Sequence, residues 1–147
     1  GQKLSMRQVW NRIESSLLEL VGSCGSDRKE EKKVSWKPPP EGWIKMNFDG
    51  ASKGNPSCVG CGCVFRKDDC QPLLAIAWDC GVSSNNYAEG MALLFGLLEA
   101  KRRNWLQIWI EGDSLTILNM AQGKTPRAWQ LKFICASIKS ILASFSE

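Results

Sequence analysis

Histidine is absent from all 147 residues, which takes imidazole ligands away from any zinc site this chain could build. Long apolar runs are missing too. The most apolar segment, Ala88 to Ala100, is interrupted by Glu89, Gly90, Gly96 and Glu99, well short of the roughly 20 apolar residues a membrane-spanning helix needs. The N-terminus has no signal-like apolar core. The expectation is therefore an intracellular chain of the nucleus or cytoplasm, neither secreted nor membrane-bound. Gly1 in place of a starting Met fits a piece of something longer or a processed product. Extreme charge is lacking: the formal net charge of +4 is compatible with a polyanionic partner without requiring one. No internal repeat or low-complexity tract is visible.

With 44% hydrophobic positions, the chain can bury one ordinary core and is too short for two substantial domains. The expected organisation is an N-terminal extension over residues 1–33 and one domain over 34–147. In the extension, Val9, Ile13, Leu17 and Leu20 fall at helical spacing, so Ser5 to Val21 reads as an amphipathic helix that docks on a partner. Gly22 to Lys33 then reads as a flexible linker, and Lys37-Pro38-Pro39-Pro40 as a stiff spacer. Seven cysteines are present, and Cys58, Cys61, Cys63, Cys70 and Cys80 crowd one region. Cys58-x-x-Cys61 has the spacing of half a zinc site, but Cys70 and Cys80 match no familiar second half. Reduced thiols used as small apolar packing are the alternative.

Ile44, Met46 and Phe48 alternate with Lys45, Asn47 and Asp49, the period of a half-buried strand that ends at Asp49. Gly50, Gly54, Asn55 and Pro56 break the pattern, Cys58 to Phe65 resumes it, and Pro72 to Asp79 follows, giving an antiparallel meander. Ser83-Ser84-Asn85-Asn86 offers N-caps for a long buried helix over Tyr87 to Arg103, on which Glu89 shares a stripe with Ala92, Leu93, Gly96, Leu97 and Ala100. Trp105 to Glu111 alternates as a fourth strand, with Asp113 in the parity of Glu111. Ser114 to Gln122 and Trp129 to Phe145 read as two further helices.

Each acid also has a plain structural use: Asp49 can cap a turn, and Glu89 can complement the helix dipole. Together they suggest more. If the first and fourth strands are parallel neighbours, Asp49 and Asp113 reach the same edge of the sheet and the helix can bring Glu89 to meet them. Three convergent carboxylates repel unless divalent cations sit among them, and that is the hard-oxygen setting of two-metal phosphodiester hydrolysis.

Asp49-Gly50-x-x-x-Gly54-Asn55-Pro56, then Ser84-Asn85-Asn86-x-Ala88-Glu89, then Asp113-Ser114, in this order and spacing, resemble ribonuclease H. The run Trp36-x-Pro38-Pro39-x-x-Gly42-Trp43-x-Lys45-x-Asn47-x-Asp49-Gly50-Ala51 is similar to the plant reverse-transcriptase-like ribonuclease H domains of non-LTR retroelements and stand-alone genes. The resemblance spans about Trp36 to Phe145. It implies an α/β fold: a mixed sheet with a three-stranded antiparallel meander and a parallel fourth strand, flanked by helices. The implied activity is cleavage of the RNA strand of an RNA–DNA hybrid with Mg2+, or Mn2+ in its place. By position, Asp49, Glu89 and Asp113 match three of the family's four metal-binding acids. Asn55, Asn85 and Asn86 match contacts to the hybrid's minor groove, and Ser84 matches a phosphate-contacting hydroxyl. Amides suit that task, since they can both donate to and accept from a ribose 2′-hydroxyl. Lys53, Lys124 and Arg127 are candidates for phosphate contact, and Trp109 and Trp129 for stacking; the alternatives are a solvated face for the basic residues and the core for the tryptophans.

The family's fifth strand, His-bearing loop and final helix have no counterpart here, and the fourth acid is not found, since Asp79 and Glu99 lie in other elements. The expectation is a C-terminally incomplete domain with impaired turnover. The other expectations are a non-catalytic nucleic-acid-binding module and a protein-interaction module of retroelement origin, with the remainder of a larger polyprotein as a further partner.

Overall fold

The computed structural model of the protein describes residues 37–145, apart from positions 53 and 55. The Ser5 to Val21 helix, the linker after it, Lys53 and Asn55 lie outside the described residues. Strands β1 (Ile44–Ser52), β2 (Ser57–Arg66) and β3 (Pro72–Ser83) come first, then helix α1 (Asn85–Arg102), strand β4 (Ile108–Glu111), and helices α2 (Leu115–Ala121) and α3 (Trp129–Ala143). The sheet order is β3-β2-β1-β4. β1 pairs antiparallel with β2, β2 antiparallel with β3, and β1 parallel with β4. This is the mixed sheet flanked by helices that the resemblance implies.

Met46 and Phe48 on β1, and Cys61, Cys63 and Phe65 on β2, form the packed face of the sheet. Helix α1 lies across it with Ala88, Ala92, Leu93, Leu97 and Ala100 buried. Full burial of Met46, Phe65, Leu93 and Leu97 contributes roughly 1.5–3 kcal/mol for each side chain, which makes this interface the centre of the fold. Helix α3 completes the core with Leu131, Ile134, Cys135 and Ile138.

Three boundaries differ from the sequence expectation. β1 runs on through Gly50 and Ala51 to Ser52, because Cys61, Gly60 and Val59 continue the ladder opposite them. Asp49 therefore stands within a strand and not at the lip of a turn. β3 continues past Asp79 to Ser83 by way of a bulge that absorbs Cys80 and Gly81. β4 starts only at Ile108, because α1 ends in a Schellman cap: Asn104 adopts φ 58°, its N–H bonds to the Lys101 carbonyl, and the Trp105 N–H bonds to the Ala100 carbonyl. Trp105 then packs at a tilt against Phe65, 5.2 Å between ring centroids and 59° between ring planes.

The polar face of β1 is also less exposed than alternation suggests. Lys45 is only 1% exposed, and its Nζ lies 2.5 Å from Glu111 Oε2, 2.7 Å from the Lys37 carbonyl and 5.4 Å from the Trp109 ring centroid. A buried ammonium needs such partners. The pair bridges β1 and β4, reinforcing the parallel register that carries Asn47 opposite Glu111.

Candidate metal centre

In the parallel ladder Asn47 faces Glu111, so two residues further along, Asp49 and Asp113 arrive at the same level on the same side. Gly112 lets the chain leave β4 tightly: a methyl there would overlap the Phe48 ring. Ser114 then starts α2, its hydroxyl accepting from the Ile117 N–H at 3.4 Å.

Glu89 comes from α1, one turn in from the start of the helix. Ser84 caps that helix, its Oγ accepting from the Tyr87 N–H at 3.2 Å. The helix start can approach β1 because position 50 is glycine. A Cβ on Gly50 would stand 2.6 Å from the Glu89 nitrogen and 2.9 Å from the Ala88 carbonyl carbon, both of them backbone atoms. The two acids are thus brought together by backbone contact between a strand and a helix.

Oxygens of Asp49, Glu89 and Asp113 all lie within 4.8 Å of one another, with Glu89 buried, Asp49 half-buried and Asp113 exposed. Glu89 is 7% exposed and accepts a 3.0 Å hydrogen bond from Asn85 Nδ2. Among the described residues, no other group of three or more Cys, Asp or Glu side chains has this convergence. The donor set consists of carboxylate oxygens, graded from buried to open, which suits a hard divalent cation approached from solvent.

Of the other sequence candidates, Ser84 and Asn85 lie half-buried at the helix start and Asn86 is exposed beside them. Asn55 lies outside the described residues. Lys124 and Arg127 are exposed, and Lys124 Nζ bonds to Asn119 Oδ1 at 3.1 Å. Trp129 does not enter the core; it is 75% exposed. Cys58, Cys61, Cys63, Cys70, Cys80 and Cys135 are free thiols. Sequence reasoning missed the service of Gly50 and Gly112 as close-approach residues and the bond from Asn85 to Glu89. The i,i+4 spacing of Asn85 and Glu89 was the available signal for the second. Nothing local distinguishes a glycine that turns the chain from one that admits a neighbour.

A family model described as reverse transcriptase-like matches residues 47–147. A putative ribonuclease H protein of Arabidopsis thaliana is 32% identical over 110 residues, covering 71% of this chain and 17% of that protein. The chain thus spans only a small part of that relative's length. Among solved structures, the ribonuclease H1 of the halophilic archaeon Halobacterium salinarum NRC-1 is 27% identical with a TM-score of 0.65, covering 69% of this chain and 78% of the other. LC11 ribonuclease H1, a metagenomic enzyme isolated from compost and solved in complex with an RNA/DNA hybrid, is 25% identical with a TM-score of 0.63, covering 69% and 77%.

Proposed function

Because the chain belongs to the reverse transcriptase-like family and has the ribonuclease H-like fold, we propose that it is a nucleic-acid-binding domain that hydrolyses the RNA strand of RNA–DNA hybrids with Mg2+ or Mn2+. The observation that carries this is the convergence within 4.8 Å of Asp49 from β1, Glu89 from α1 and Asp113 from the β4–α2 connection. These three carboxylates would hold the cations. When bound, divalent ions supply an activated water and stabilise the leaving oxygen of the phosphodiester.

The chain's own residues do the positioning. Asn85 orients the Glu89 carboxylate with one amide N–H, leaving its carbonyl and second N–H to face a ribose 2′-hydroxyl. Asn86, exposed at the same helix start, offers a second amide to the minor groove, and Asn55 a third. Ser84 keeps the first turn of α1 in place through its bond to Tyr87 while presenting its hydroxyl toward a phosphate. The Arabidopsis relative is matched over 17% of its length, which leaves room in it for further domains, and we infer that this domain works as part of a larger polypeptide.

The test is cleavage of a labelled RNA–DNA hybrid with Mg2+, with duplex DNA as control. Cleavage that disappears in Asp49→Asn supports the assignment, and cleavage unchanged in that variant overturns it. Hybrid binding without cleavage under either Mg2+ or Mn2+ would identify a binding module instead.

A further inference from the structure

Cys61, the ladder partner of Gly50, and Cys80 on β3 bring their sulfurs to 2.8 Å from each other. That is far outside the roughly 2.05 Å of a disulfide and closer than two non-bonded sulfurs normally approach. We propose that these two thiols form an oxidisable pair that closes to a disulfide across the β2–β3 hairpin when a hydroperoxide reaches it.

The strand register makes the approach. Gly60 pairs with Asp79 and Cys58 with Val82, so Val59 on β2 is opposed by both Cys80 and Gly81 on β3. The bulge carries Cys80 toward Cys61, whose own ladder partner is Trp78. Their environments divide the work. Cys61 is fully buried on the packed face, whereas Cys80 is half-buried and open to a small oxidant. The hydrogen bond between the two thiols, in which either sulfur can donate, holds the Cys80 thiol below its ordinary value, and the same bond together with burial raises Cys61. Cys80 is accordingly the attacking sulfur. The other described cysteines do not share this arrangement: burial pushes the Cys63 thiol up to about 12, and Cys70 stands exposed on the β2–β3 turn.

The Cys80 thiolate attacks one oxygen of the hydroperoxide. The S–O bond forms at the terminal oxygen, the O–O bond breaks, and the alkoxide leaves (hydroxide when the oxidant is hydrogen peroxide), giving a sulfenic acid. Cys61 sulfur then attacks Cys80 sulfur. The S–S bond forms, the S–O bond breaks, and the Cys61 proton departs with the hydroxyl as water. Two electrons pass from the sulfurs to the peroxide. The closed bond would tie β2 to the edge strand one strand away from the Gly50–Glu89 contact.

The full chain is exposed to graded hydrogen peroxide, then denatured, alkylated and mapped by peptide mass. The expected result is a Cys61–Cys80 cross-linked peptide, reversed by dithiothreitol, with Cys61 lost about tenfold faster than buried Cys63. In Cys61→Ala, Cys80 should stop at sulfenic acid and be captured by dimedone. Should that buried variant fail to fold, Cys80→Ser serves in its place, and Cys61 should then stay alkylatable. Cys61 and Cys80 both alkylating in full at doses that consume exposed Cys70 would overturn the proposal, as would Cys80 pairing with any sulfur other than Cys61.

Discussion

Replacing Gly50 by alanine tests how the carboxylate cluster is assembled. The added Cβ would stand 2.6 Å from the Glu89 nitrogen; two of the three near helix atoms are backbone and the third is the Ala88 Cβ, so no side-chain rotation relieves the contact. Ordinary contact begins at 3.4 Å, so the start of α1 has to withdraw from β1 by roughly 0.8 Å. Metal sites tolerate errors of about 0.2–0.5 Å in ligand placement, so the shift exceeds what the cluster absorbs. The overpacking should destabilise the fold by about 1–3 kcal/mol, within what a domain of this size survives. Hybrid cleavage should fall about 100-fold, the usual penalty for an ångström of misplacement. Mn2+ affinity, followed by water-proton relaxation, reads the same displacement without depending on turnover, and circular dichroism checks folding. A folded Gly50→Ala protein that binds Mn2+ as tightly as the native chain would refute the strand-to-helix contact as the origin of the site.

Glu111→Gln takes the Glu111 carboxylate away from the buried Lys45 ammonium, and should lower urea stability by about 1–3 kcal/mol. An unchanged urea midpoint would count against the pair as a β1–β4 tie. Cys70 adopts φ 67° on the β2–β3 turn, so Cys70→Gly should raise thermal stability by about 0.5 kcal/mol, strain relief exceeding the added freedom of the unfolded chain; a lowered melting midpoint contradicts this. The Arg102 and Arg103 guanidiniums hold the Glu99 carboxyl down at about 2 from an ordinary 4.5. Its stabilising effect is therefore present above 4.5 and drains away as pH falls toward about 2, and because the pair is open to water the effect on stability is small. A carboxyl NMR titration of Glu99 with its midpoint near 4.5 would contradict those contacts.

The order of elements was written in local patterns. Period-two alternation marked β1, β2 and β4, and the density of Ala, Leu and Met marked α1, because each pattern records which side of one segment meets the core. Ordered motifs went further, since Asp49, Glu89 and Asp113 were identifiable as a set from spacing and residue type. What remained hidden depended on neighbours distant in the chain. β1 extends past Asp49 because β2 lies beside it, Lys45 is buried where Glu111, Trp109 and the Lys37 carbonyl meet it, and Gly50 matters because a helix 39 positions later presses its backbone there. Trp129 was weighed for the core on its hydrophobicity and stands outside it, since a helix chooses its buried stripe by what it packs against. Residue chemistry thus named the three candidate carboxylates, and strand register with close backbone approach brought their oxygens together.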